Sequence, residues 1–171
     1  MEPPIEQILL QRARVLARPL EAVSDPGEEM LRFVLGEESF ATPLTALREV
    51  VTTASVTSVP GVLPPFIGLT NVRGALIPVL DLRELLGVPA ARPDGRHPLL
   101  VVDTEDGPVG LWTDRVEGLI RVEPDDFEGT QSGTLPGLVG RTADLTGVID
   151  FAELIQAARL AAATSNPVSE A

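Results

Sequence analysis

From Pro65 to Leu86 the chain alternates two apolar runs about a tight corner. Phe66, Ile67 and Leu69 precede Asn71-Val72-Arg73-Gly74, and Leu76, Ile77, Val79 and Leu80 follow it. Asn and Gly tolerate positive φ at little steric cost, so the pattern predicts strand, corner, strand, then a helical turn at Leu82–Leu86. The corner sets Arg73 among apolar neighbours, where its guanidinium needs a partner. The same apolar pattern returns later. Leu76–Leu86 lies over Leu145–Ile155 at an offset of 69, and Gly68-Leu69 falls on Gly137-Leu138 at the same offset. Upstream, Leu47–Val50 is answered by Val116–Leu119, one residue out of step. The chain therefore reads as two copies of one small β unit.

Elsewhere the pattern predicts an amphipathic helix at about residues 4–18, with Ile5, Ile8, Leu9, Val15 and Leu16 at helical spacing and Gln11, Arg12, Arg14 and Arg18 between them. It stops before Pro19, and residues 19–29 read as a linker. Strands are predicted at Leu31–Leu35, Phe40–Pro43 and Arg48–Thr53, with a short extended piece at Thr57–Pro60. Three prolines and a glycine in 88–98 mark a hinge, with His97 as an exposed loop residue. Leu99–Thr104 and Pro108–Thr113 flank Glu105-Asp106-Gly107, a hairpin signal. A strand at Val116–Val122, a mobile acidic loop at Glu123–Gly133, strands at Leu135–Val139 and Leu145–Asp150, a helix at Phe151–Ala162 and a fraying tail complete the pattern. Many short strands with frequent turns indicate small barrels rather than a parallel sheet.

Composition narrows the chemistry. The 171 residues suit one domain or two small ones and can bury a sizeable core. There is no cysteine, which excludes disulfides and thiolate metal sites and fits a reducing compartment. The single histidine leaves no histidine metal cluster. A net charge of −12 argues against nucleic acid and anionic lipid surfaces. Every basic residue is arginine, which a codon bias explains more simply than bidentate recognition. No apolar run is long enough to span a membrane. The opening MEPPIEQ is acidic and lacks an apolar segment behind a basic one, so no signal peptide is expected.

Motifs for catalysis are missing as well. Neither GxxxxGK[ST] nor GxGxxG occurs. Asp103-Thr104-Glu105 lacks the glycine of an aspartic-protease motif, and Asp125, Asp126 and Glu128 lack EF-hand spacing. The residues alone indicate a non-catalytic β protein with an apolar, arginine-bearing interaction surface. A stand-alone barrel that senses a small ligand is the alternative, and a deep pocket would distinguish it.

Glu37–Val50, Val59-Pro60, Pro65–Gly74 and Ile77–Leu82 together resemble the CheW family of chemotaxis coupling proteins. The likeness continues through Val109–Leu111, Asp114–Val116 and Val148–Asp150 and covers about residues 30–156. Asn-x-Arg-Gly with Pro78 and Asp81 behind it is its most specific part. The resemblance implies a mainly β fold of two SH3-like five-stranded barrels packed together; the helices read from the residues at about 4–18 and at Phe151–Ala162 join it as an N-terminal and a C-terminal helix, the first being an addition to the family's minimal pattern. It places the first barrel at about 30–90, the second at about 97–158, and a tail at 159–171. It also implies a cytoplasmic adaptor, without catalysis, cofactor or metal, at receptor arrays on the inner membrane face. Its partners would be the cytoplasmic tips of chemoreceptors and the regulatory domain of a CheA-type histidine kinase. Glu49 and Arg73 match the family's acidic and basic pair and are expected to form an ion pair. Leu47, Gly68, Gly74, Gly110 and Leu119 match positions associated with receptor binding. Three departures stand out: Val72 for a leucine, Trp112 for a small β-branched residue, and Thr146-Gly147, which suggests a looser second barrel.

Overall fold

The computed structural model describes residues 27–89, 96–129 and 135–165. The expected helix at 4–18, most of the linker and hinge, the Gly/Ser part of the acidic loop and the end of the tail lie outside the described residues. Eleven strands and two helices follow one another along the described chain. The strands are β1 (Glu28–Leu35), β2 (Glu38–Pro43), β3 (Glu49–Ala54), β4 (Phe66–Val72), β5 (Ala75–Asp81), β6 (His97–Thr104), β7 (Gly107–Trp112), β8 (Arg115–Val122), β9 (Phe127–Gly129), β10 (Leu138–Thr142) and β11 (Gly147–Ile149). The helices are α1 (Leu82–Leu86) after β5 and α2 (Phe151–Ser165) after β11. Most strands match the apolar alternation. Two readings are corrected. His97 opens β6, half-buried, with its ring 5.0 Å from that of Trp112 rather than in an exposed loop. Part of the acidic loop is the short strand β9, because Phe127 carries it onto β10.

The strands form a five-stranded sheet, β3-β6-β7-β5-β4, and a six-stranded sheet, β8-β1-β2-β11-β10-β9. The two orders are one order. β3, β6, β7, β5 and β4 correspond to β8, β1, β2, β11 and β10, and in each sheet a single parallel pair, β5–β7 or β11–β2, interrupts antiparallel neighbours. The sequence repeat is therefore a structural repeat. Asp81 and Asp150, equivalent at the repeat offset, both cap helices: Asp81 Oδ1 accepts from Arg83 N at 2.9 Å, and Asp150 Oδ1 from Ala152 N at 2.8 Å.

The two units are not consecutive halves of the chain, and the division at about residue 90 is corrected. The first hairpin, β1–β2, joins the sheet of β8, β10 and β11, while the hairpin β6–β7 joins that of β3, β4 and β5. The hairpins are exchanged. Each is apolar on both faces and lies between two cores. Leu99, Val101 and Trp112 face the interior of the five-stranded sheet with Val72, Ile77 and Val79. Leu100, Val102 and Leu111 face a larger core between the sheets, where they meet Phe33, Leu35 and Phe40 of the first hairpin and Phe151 and Leu154 of α2. Met30 and Ala41 face the interior of the six-stranded sheet with Val122 and Val148. Trp112 thus fills the interior of the five-stranded sheet.

Each sheet curls around its own core without closing. In the five-stranded sheet the two edges meet just past β3, where Thr57 and Leu69 exchange N–H···O bonds of 2.8 and 2.9 Å. Gly68 makes that approach possible, since a Cβ there would lie 2.2 Å from the Thr57 carbonyl oxygen and the residue sits at φ 152°. Gly74 is also at positive φ, 88°, but has open space around it. Gly68→Ala should therefore cost about 2–3 kcal/mol, against about 1 kcal/mol for Gly74→Ala. Urea unfolding followed by Trp112, the only tryptophan, measures both; equal losses would show that the Thr57 approach is not constraining.

Candidate functional site

The corner after β4 is a two-residue turn. Arg73 and Gly74 both have positive φ, 51° and 88°, as the turn types that match strand twist require. Asn71 stays in β4, and its Oδ1 accepts from Gly74 N at 2.9 Å. The strained residue is therefore the arginine itself, braced by the asparagine side chain. Its Nε donates to Glu49 Oε2 at 2.8 Å. Glu49 begins β3 and Arg73 follows β4, so the pair spans the seam between the two edges of the five-stranded sheet. Its cost and benefit are both small, because the Arg73 side chain is 80 % exposed and that of Glu49 20 %. The expected ion pair is present, and it presents a held guanidinium to solvent.

The other expected positions divide by burial. Leu47 is half-buried against the core between the sheets and lines a groove of about 610 Å³ beside α2. Val102, Phe151 and Ile155 add apolar walls. Two ion pairs stand at its mouth: Arg48–Asp103 at 2.9 Å and Arg159–Asp106 at 2.9 Å. Leu119 is 59 % exposed on β8, an edge strand of the other sheet. Gly68 and Gly110 are buried. A Cβ at Gly110 would lie 2.7 Å from the Leu99 side chain, so these two glycines act by letting strands and side chains approach. The structure brings Glu49, Arg73 and Gly74 together, with Leu47 two residues ahead of Glu49, and leaves Leu119 on a different sheet.

A polar node that the sequence did not reveal lies elsewhere. Arg83 of α1 forms a fork on Asp114, with Nε to Oδ1 at 3.0 Å and Nη2 to Oδ2. Its Nη1 also donates to the Pro89 carbonyl at 2.9 Å, and Gly36 N donates to Asp114 Oδ2 at 2.6 Å. These groups come from three separate connections, and both side chains are largely buried, 15 % and 22 % exposed. Asp81-Leu82-Arg83 and Asp114-Arg115 are visible as motifs, but nothing in their spacing shows that they meet. Burial raises the Asp81 carboxyl above its usual range, while the Arg83 N–H and guanidinium oppose that shift. A raised folded pKa means that this group favours the fold increasingly as pH falls through that value, the reverse of most carboxylates.

Among the described residues no group of three or more His, Cys, Asp or Glu is placed to hold a metal, and no helix is long and apolar enough to cross a membrane. The interior of the five-stranded sheet is filled by side chains. The described surface carries a groove at Leu47 and the Glu49-paired Arg73.

Comparison with known proteins adds the following. A family model described as CheW-like domain matches residues 29–160. The chemotaxis protein CheW of Rhizobium meliloti is 31 % identical over 108 residues, covering 63 % of this chain and 70 % of that protein. The chemotaxis protein CheW of Bacillus subtilis is 29 % identical over 107 residues, covering 63 % and 69 %. Protein FrzA of Myxococcus xanthus is 29 % identical over 150 residues, covering 83 % and 94 %. The crystal structure of the scaffolding protein TtCheW from Thermoanaerobacter tengcongensis has the same fold, with a TM-score of 0.63 at 24 % identity over 72 % of this chain and 87 % of that one.

The two arginine pairs differ in what they hold. Arg83→Ala strands Asp114 and should cost about 2–4 kcal/mol, below the full penalty of a fully buried pair. Arg73→Ala should cost under about 1 kcal/mol. Thermal or urea unfolding of the two variants ranks them, and the opposite order would refute the assignment of the node as structural.

Proposed function

The chain belongs to the CheW-like domain family, and on that footing we propose that it is a non-catalytic adaptor. It couples the cytoplasmic tips of methyl-accepting chemotaxis-type receptors to a CheA-type histidine kinase, in the cytoplasm, at receptor arrays beneath the inner membrane. The observation that carries this reading is the family match over nearly the whole described region, together with a groove beside α2 that Leu47 helps to line. A receptor tip is helical, and a groove walled by Leu47, Val102, Phe151 and Ile155 accepts a helix by its side-chain ridge. Arg73, held by Glu49 at the seam, and Leu119 supply further contacts. Gly68, Gly74 and Gly110 shape the strands that carry them.

The kinase regulatory domain binds a separate face. The mechanism is mutual placement: each partner biases the other's geometry through a rigid body, a coupling of about 1–3 kcal/mol in typical systems. Rigidity is available because the two sheets share one core. The small-ligand sensor weighed from the sequence finds little support, since packed side chains occupy the interior that a ligand would need.

Titration of the purified chain with a receptor signalling tip and with a kinase regulatory domain tests the proposal. The wild type should bind both. Arg73→Ala should weaken receptor-tip binding about fivefold, roughly 1 kcal/mol, and leave kinase-domain binding and the circular dichroism spectrum unchanged. A wild-type chain that binds neither partner would end the proposal.

A further inference from the structure

One end of the six-stranded sheet carries an open recess of about 460 Å³, whose lining shares only Asp150 with the groove at Leu47. Half-buried Pro43, Phe127 and Val139 form its sides over buried Met30. Its charged lining residues are Glu28, Glu123 and Asp150, all exposed and all acidic. Gly27, where the described chain begins, is one of its walls. Apolar sides with carboxylates alone at the rim suit an apolar ridge that carries positive charge.

The sequence just upstream supplies such a ridge. At the helical spacing read from the sequence, Ile5, Ile8, Leu9, Val15 and Leu16 share one stripe. Arg12 falls on the same stripe, four residues after Ile8 and four before Leu16. An arginine amid an apolar stripe needs a carboxylate in whatever surface the stripe meets, because a guanidinium buried alone is costly. Arg14 and Arg18 add to the positive charge. Residues 19–26, between Arg18 and Gly27, can reach up to about 27 Å, enough to turn the segment back.

We propose that residues 4–18 dock on this recess of their own chain, with the Ile8–Leu9 ridge against Phe127 and Val139 and Arg12 facing Glu28 and Glu123. This inference needs no receptor or kinase and stands apart from the proposed function.

The chain has no cysteine, so pairs introduced into the full-length protein report the contact directly. Leu9→Cys with Val139→Cys should form an intramolecular disulfide under mild oxidation, at a rate independent of protein concentration. Leu9→Cys with Leu76→Cys, on the exposed outer face of the other sheet, should react at least tenfold more slowly. Adding Arg12→Glu to the first pair should slow it at least fivefold. Leu9→Cys with Pro43→Cys reads the same contact if the Val139 variant fails to fold. Equal rates for recess and control pairs would overturn the proposal, as would disulfides that form only between molecules, which would assign the segment to a second copy. A rate indifferent to Arg12→Glu would overturn the pairing with the acidic rim.

Discussion

A hairpin that is apolar on both faces cannot be satisfied by the inside of one curled sheet. It needs a core on each side, and this chain has two such hairpins. β1–β2 and β6–β7 each turn one face to the interior of a sheet and the other to the core between the sheets. Phe33 illustrates the shared side, with its ring centroid 5.9 Å from that of Phe40 and 6.0 Å from that of Phe151. Burying aromatic and branched side chains this way dominates the stability of a domain of this size. The exchange of hairpins follows naturally, because each hairpin then belongs to one sheet by hydrogen bonds and lies in sequence beside the other. The Arg83–Asp114–Gly36 node sits among the connections that the exchange creates: the turn of the first hairpin, the exit from the second, and the helix after β5. Its charge-assisted fork fixes crossings that apolar packing alone would leave less determined.

Surface features of interest are by-products of the same arrangement. Curling brings β3 and β4 towards a seam, and the seam brings Glu49 beside Arg73. Packing α2 against the shared core leaves grooves along its flanks, one at Leu47 and a larger one lined by Phe66, Pro78 and Leu80. Arg73 sits in a left-handed turn conformation with its guanidinium on the Glu49 carboxylate, and the Asn71 side chain closes the turn on Gly74 N. In the proposed adaptor role, a group so held would have less freedom left to lose on meeting a partner.

Much of this was legible in the sequence, and the parts that were not share a cause. Strand alternation, the Glu105-Asp106 hairpin, the α1 turn and the 69-residue repeat are local or periodic, and the chain declares them. Resemblance supplied the Glu49–Arg73 pair. The exchange of hairpins was hidden because a repeat specifies units without saying which copy a strand edge will join; the hydrogen-bonding groups of all edges are alike. Residue spacing could not separate Gly68 and Gly110, needed for close approach, from Leu119, exposed on an edge, since that difference lies in what another segment places opposite each residue. The strand at Phe127 was masked by its acidic neighbours, and His97 by the prolines around it.

The crossing has a consequence for how such a protein can be divided. A break between Pro89 and Arg96 leaves one fragment with β1 to β5 and another with β6 to β11, and neither holds a whole sheet. Each fragment carries the missing hairpin of the other. A cut there therefore separates neither sheet from the other but splits both, so that each fragment lacks two adjacent strands of its own sheet.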